Sequence, residues 1–192
     1  MLNESLLEES LAVLGESLAD RGMAFEIAAV GGGSLLLLGL ISRPTADLDI
    51  VAFLEAGHYV KPAVLPAELA DAVQATARVM GIREDWINVG PAALLDFGLP
   101  DGFAKRTVER RYGGLVVQLA GRRDQVFLKL FAAVDHGPSS KHFQDLVELS
   151  ATSDELLDAA RWTMTHDTSP GFRSELINAL AGLGVEDADR YL

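Results

Sequence analysis

Asp47 and Asp49 stand two residues apart at the head of an apolar run, Asp47-Leu48-Asp49-Ile50-Val51, and the glycine run Val30-Gly31-Gly32-Gly33-Ser34 precedes them. Successive side chains of a strand point to opposite faces, so in a strand the two carboxylates project to one side. Asp is depleted in strands, and two on one face repel each other unless a cation or a basic group lies between them. Such a pair, facing a loop rich in backbone N–H groups, suits a divalent cation, Mg2+ or Mn2+, that holds a polyphosphate. Glycine tolerates φ > 0 and lets a phosphate come close to the backbone, which makes Gly32, Gly33 and Ser34 the candidate cradle. The run is no Walker loop, because no Gly-Lys-Ser/Thr follows. Nor is it a dinucleotide fingerprint, because no long helix with an acid about 20 positions on completes it.

These residues need elements to position them. Leu6, Leu7, Leu11, Leu14 and Leu18 recur at helical spacing behind Ser5 and Glu8, which read as a capping box. A short strand over 26–30 should end in the glycines. Ser34 should then cap a short apolar helix through Leu40, and the chain should return as a strand over 48–53. Pro66 opens a helix over 67–80 that Gly81 stops. Trp86-Ile87-Asn88-Val89 reads as a short strand or turn, and 107–111 and 115–120 as a hairpin about Tyr112-Gly113-Gly114. From Arg123 onward the pattern is helical, with breaks at Gly137-Pro138, near Thr152-Ser153 and at Ser169-Pro170-Gly171. The expectation is an α+β protein, with an α/β core over 1–122 and a helical region over 123–192 packed on it.

Composition narrows the function classes. The 49% apolar content of the 192 residues argues for a folded core rather than a disordered chain. A net charge of −12 disfavours general affinity for nucleic acid or anionic membranes. Having no cysteine, the chain has no disulfide framework, thiolate zinc site or cysteine nucleophile. An acidic N-terminus and the lack of a membrane-length apolar run predict a cytoplasmic protein without a membrane partner. Charge reverses locally between Lys105 and Arg123, where Lys105, Arg106, Arg110, Arg111, Arg122 and Arg123 face only Glu109. That cluster is either a set of solvated strand ends or a contact for nucleotide or RNA phosphates. His58, His136, His142 and His166 lack metal-ligand spacing and read as structural or surface residues. No Gly-x-Ser-x-Gly elbow supports a hydrolase triad.

Gly32-Gly33-Ser34 followed by Arg43-x-Thr45-x-Asp47-Leu48-Asp49 resembles the nucleotidyltransferase fold of polymerase-β-like enzymes. It is most similar to the AbiEii-type branch of bacterial toxin–antitoxin toxins and their uncharacterised relatives, across roughly residues 26 to 150. That branch carries Gly-Ser, Asp-x-Asp, a later helical Lys and an Asp beyond it. The matching positions here are Lys129 in Phe127-Leu128-Lys129-Leu130-Phe131 and Asp145 in Lys141-His142-Phe143-Gln144-Asp145-Leu146. The stretch Asp85-Trp86-Ile87-Asn88 also looks like the middle of a small subgroup of these relatives. The resemblance implies a nucleotidyltransferase-like mixed sheet flanked by helices, with Asp47 and Asp49 as metal ligands and Asp47, Asp49 and Lys129 as catalytic residues. Gly32, Gly33, Ser34, Lys129 and Asp145 would then contact the nucleotide. Read by themselves, Lys129 in an amphipathic helix is a solvated charge and Asp145 a mid-helix acid that caps or pairs; but Lys129 interrupts an apolar segment and so calls for a partner, with a triphosphate as the functional option.

Many members of that fold carry a third acid on a later strand as general base. The strand positions here hold Asn88 and Gln118, and nothing singles out Asp96, Asp101 or Asp124. Either the third acid is dispensable in this branch or this copy is catalytically weakened. The expected activity is therefore metal-dependent transfer of a nucleoside monophosphate from an NTP to RNA (tRNA included) or another hydroxyl acceptor, with an antitoxin as a candidate partner. The alternatives are a degenerate module that binds nucleotide or a partner, and a glycosyltransferase using Asp-x-Asp. The last places a Rossmann-like half before the motif, whereas 46 residues precede Asp47.

Overall fold

The computed structural model describes all of Met1–Leu192 and divides into two compact units, Met1–Gly121 and Arg122–Leu192. The fold is α+β, with an open mixed sheet flanked by helices. The first unit runs α1 (Glu4–Asp20), β1 (Phe25–Val30), α2 (Gly31–Leu37), β2 (Leu48–Glu55), β3 (His58–Val60), α3 (Ala67–Met80) and β4 (Ile87–Asn88). Two four-residue helices follow, α4 (Leu94–Phe97) and α5 (Phe103–Arg106), then β5 (Val108–Tyr112) and β6 (Leu115–Leu119). The sheet order is β3-β2-β1-β6-β5, with β4 added beside β2. β1 pairs antiparallel with β2 and parallel with β6, and β4 runs parallel to β2.

The apolar periodicities explain these elements. Leu7, Leu11, Leu14 and Leu18 are fully buried along one stripe of α1. Ile27, Ala28 and Ala29 of β1, and Ile50, Val51 and Ala52 of β2, are likewise shut off from solvent, as central strands covered on both faces require. α1 is locked to the β5–β6 hairpin: the Gly114 N–H donates to the Gly15 carbonyl at 2.8 Å, and the Tyr112 hydroxyl donates to Glu8 at 2.7 Å. Trp86, fully buried, donates its indole N–H to the Val73 carbonyl at 3.2 Å and so ties β4 to α3.

Two local readings of the sequence are corrected, and one strand is added to them. α1 is capped by Asn3, whose side chain accepts from the Leu6 N–H at 2.8 Å, so Ser5 lies inside the first turn and forms no capping box. α2 begins at Gly31 rather than after Ser34. Val30 is still extended and Gly31 sits at φ 75°, so the chain turns into helix four residues early and places Ser34 within it. β3 was not legible; it pairs with β2 through Ala56 and Gly57, both at positive φ (49° and 80°), the turn that matches strand twist.

The second unit is four helices, α6 (Arg122–His136), α7 (Lys141–Glu148), α8 (Ser153–Thr163) and α9 (Pro170–Gly182). Ser140, Thr152 and Ser169 cap the last three, Thr152 in a full capping box with Glu155. Leu130, Ala159, Ala160, Leu176 and Leu180 are completely buried in it. No helix of the chain is long and apolar enough to cross a membrane.

His142 supplies a pH dependence. Burial lowers its pKa to about 4, aided by the positive charges of Lys129, Lys141 and His136 and opposed by Asp145. Folding thus disfavours its protonation, so His142 contributes stability above its ordinary pKa of 6.5 that is lost as pH falls towards 4. Thermal melts between pH 7 and 5 should show falling stability, and His142→Gln should flatten that slope; an unchanged slope would refute the assignment.

Candidate functional site

The two aspartates and the glycine turn are brought together at one end of β2. Asp47 immediately precedes the strand and Asp49 is its second residue; both are half-buried, while Leu48 and Ile50 between and beyond them are fully buried. That alternation sets Asp47 and Asp49 on one side of the strand. In register, Asp49 lies between Val30, the last residue of β1, and Asn88 of β4. Gly31 follows Val30 directly, and the Asp49 carboxylate lies over it: a Cβ at Gly31 would sit 2.7 Å from Asp49 Oδ2.

The other two glycines are explained by packing. A Cβ on Gly32 would meet Thr45 Oγ1 at 3.0 Å and the Arg43 guanidinium at 3.4 Å. One on Gly33 would meet the Asp47 carbonyl at 2.7 Å and the Leu48 side chain at 2.9 Å. Gly32 and Gly33 are both buried, so their bareness lets the Arg43–Leu48 segment lie directly on α2. Gly33→Ala should therefore cost about 1–3 kcal/mol by overpacking, because the atom it meets is backbone. A melt unchanged within error would contradict this contact. Ser34, the third member of the candidate cradle, is fully buried, and its hydroxyl has no hydrogen-bond partner. The structure thus places Ser34 in the interior beneath the turn.

The segment entering β2 is held from its other side. Thr45 and Leu2 exchange backbone hydrogen bonds at 2.7 and 2.9 Å, and Thr45 Oγ1 donates to the Asp47 carbonyl at 3.2 Å. Arg83, on the turn before β4, forks onto Asp85, with Nε to Oδ1 at 2.7 Å and Nη2 to Oδ2 at 2.5 Å. The hydrogen bond to Asp85 raises the Arg83 pKa, and the negative charge of Asp47 adds to the effect. Sequence reasoning missed Arg83, which neither spacing nor motif connects to Asp47.

No third acid joins the pair, and no group of three or more His, Cys, Asp or Glu side chains is disposed to hold a metal anywhere in the chain. The position beside Asp49 on β4 is Asn88, whose side-chain oxygen accepts from the Gly90 N–H at 2.8 Å. Gln118 is engaged along the sheet with Thr107, Glu26 and Glu109 at 3.0–3.1 Å. Asp96 pairs with Lys61 at 2.5 Å, Asp101 is exposed in the turn before α5, and Asp124 is fully buried in α6.

Lys129 and Asp145 meet each other within the helical unit. Their Nζ–Oδ2 separation is 2.6 Å, and their side chains are 4% and 0% exposed. The partner that the interrupted apolar segment calls for is therefore Asp145, on α7. Most of the local run of positive charge is likewise committed: Arg111 to Glu109 at 2.6 Å, Arg122 to Glu155 at 2.5 Å and Arg123 to Asp158 at 2.8 Å. Arg106 donates to the Asp101 carbonyl at 2.8 Å.

Compared with models of protein families, with curated proteins and with solved structures, the chain shows no match.

Proposed function

We propose that the chain is a nucleotidyltransferase-fold protein that binds a nucleoside triphosphate with Mg2+ (or Mn2+) at the Asp47–Asp49 end of β2. It transfers the nucleoside monophosphate to a hydroxyl of an RNA, tRNA included, or of another acceptor. A role as the toxin of a toxin–antitoxin pair, with an antitoxin partner, belongs to this reading. The observation that carries it is the placement of Asp49 on a central strand, its carboxylate over Gly31, with Asp47 on the same side one step earlier.

The donor set fits the ion. Mg2+ is commonly held by one or two carboxylates together with water and substrate phosphates, so a third acid is not required to bind it. When bound, the ion would neutralise phosphate charge and orient the triphosphate. In the transfer, the acceptor oxygen forms a bond to the α-phosphorus and the bond to pyrophosphate breaks. The acceptor proton passes to water, because Asn88 beside Asp49 cannot take it. General-base help is worth roughly 10²–10⁴-fold, so the reaction is expected to be slow rather than absent.

A second reading rests on that same Asn88: a catalytically degenerate module that binds nucleotide or a partner protein. Incubation with each labelled NTP, Mg2+ or Mn2+ and total RNA separates the two. Label on RNA that disappears in the Asp47→Asn, Asp49→Asn double variant supports transfer. Equal inertness of both proteins, with NTP still bound by the wild type, supports the binding module.

A further inference from the structure

The last strand of the sheet, β5, presents an open edge to which the nucleotide reading gives no role. β5 ends the strand order β3-β2-β1-β6-β5, and its main chain is hydrogen-bonded to β6 alone. Val108, Glu109, Arg110 and Arg111 are all exposed. An edge of this kind offers a row of unpaired N–H and C=O groups to a further strand.

The side chains of β5 set what such a strand must carry. In register, Val108, Arg110 and Tyr112 lie beside Leu119, Val117 and Leu115, all three fully buried, so they share the packed face of the sheet. On that face Val108 is 40% exposed, and Arg110 is exposed and makes no hydrogen bond or ion pair. On the other face Glu109 and Arg111 satisfy each other at 2.6 Å. The unspent charge of β5 is therefore one guanidinium, with the Val108 side chain before it and the Tyr112 ring after it. Cross-strand neighbours stabilise a pair through opposite charge and matched apolar area. The complementary segment thus reads apolar-x-acid-x-apolar.

Charged residues on an edge strand commonly guard it against pairing. Such a guard excludes like charge and admits the opposite one. A second copy of β5, antiparallel and centred on Arg110, would set Arg110 against Arg110, which disfavours self-pairing. RNA suits the edge poorly, because the carbonyl row repels phosphates and a net charge of −12 opposes a polyanion. We propose that β5 is a docking edge for an extended segment of a partner protein with this acidic-apolar pattern, which adds to the sheet as a further strand. The inference is independent of the nucleotide reading.

The test uses the full, isotope-labelled chain and two capped peptides, Thr-Val-Thr-Glu-Thr-Val-Thr and its counterpart with Lys in place of Glu. The Glu peptide should slow hydrogen exchange at the β5 amides that β6 does not bind. It should also bind about fivefold more tightly than the Lys peptide, the scale of a cross-strand charge pair. Arg110→Glu, at an exposed position, should reverse that preference with an unchanged melting temperature. N-methylation of all the peptide amides should abolish binding, because it removes the donors that a strand needs. Equal affinities for the two peptides, or a preference that Arg110→Glu leaves in place, overturn the proposal. Binding that survives N-methylation also overturns it, since charge alone would then hold the peptide. Protection of the same amides that grows with protein concentration alone assigns the edge to a second copy. Protection by a uridine oligonucleotide but not by the Glu peptide assigns it to RNA, and either result overturns the partner strand.

Discussion

Replacing Asp47 and Asp49 together with asparagine is expected to abolish Mg2+-dependent NTP binding and any nucleotidyl transfer, while the protein remains folded. Asparagine has nearly the same shape as aspartate, so the close approach of residue 49 to Gly31 survives the change. What is lost is charge. Two neutral amides cannot offset a divalent cation, and a metal centre supplies several kcal/mol of transition-state stabilisation. At a factor of ten per about 1.4 kcal/mol, the double variant should be slower by roughly 10³-fold or more. Each single variant should bind Mg2+–NTP weakly, because one carboxylate alone leaves the ion mostly to water and phosphate. Calorimetry is the direct check, with a thermal melt beside it to show that both variants fold. Unchanged nucleotide affinity in both single variants would remove the metal assignment and the transfer reading with it.

The sequence carried this end of the molecule well because its signals are local. Strand alternation fixes the relation of Asp47 to Asp49, and a glycine run after an apolar segment marks a turn. The meaning of the glycines was less legible. Gly33 reads as a residue that exposes backbone N–H groups, yet it is buried against the Asp47 carbonyl and Leu48, a contact made by a segment that starts ten residues later at Arg43. Ser34 fails as a helix cap for the same reason: Gly31 already turns the chain into helix, and no spacing rule reports its φ of 75°. The cluster of positive charge shows the limit most clearly. Its arginines at 122 and 123 look unopposed within their own window, but Glu155 and Asp158 arrive from α8 to pair with them. Partners that distant in sequence leave no periodic trace. The β2–β3 hairpin escaped notice because its turn uses Ala56-Gly57, not the Asn-Gly or Asp-Gly that announces this conformation.

Lys129 is where the reading of the chain by resemblance and its physical environment pull apart, and one substitution separates them. Lys129→Ala leaves Asp145 buried in the helical unit without its counter-ion, at a side-chain exposure of 0%. Breaking a buried ion pair from one side typically costs about 3–5 kcal/mol, a large part of the roughly 5–15 kcal/mol that holds a domain folded. The expected result is a marked drop in thermal stability. The double variant Lys129→Met, Asp145→Leu should recover most of it, because replacing both charges with apolar groups removes the desolvation cost along with the attraction. That double variant is folded and lacks the ammonium, so it can be titrated with ATP and AMP. Equal affinities to wild type for both nucleotides make Lys129 a structural lysine, which is the outcome expected from its 2.6 Å pair with Asp145. A loss confined to ATP would instead put the ammonium on the terminal phosphates and restore the role that the resemblance implies.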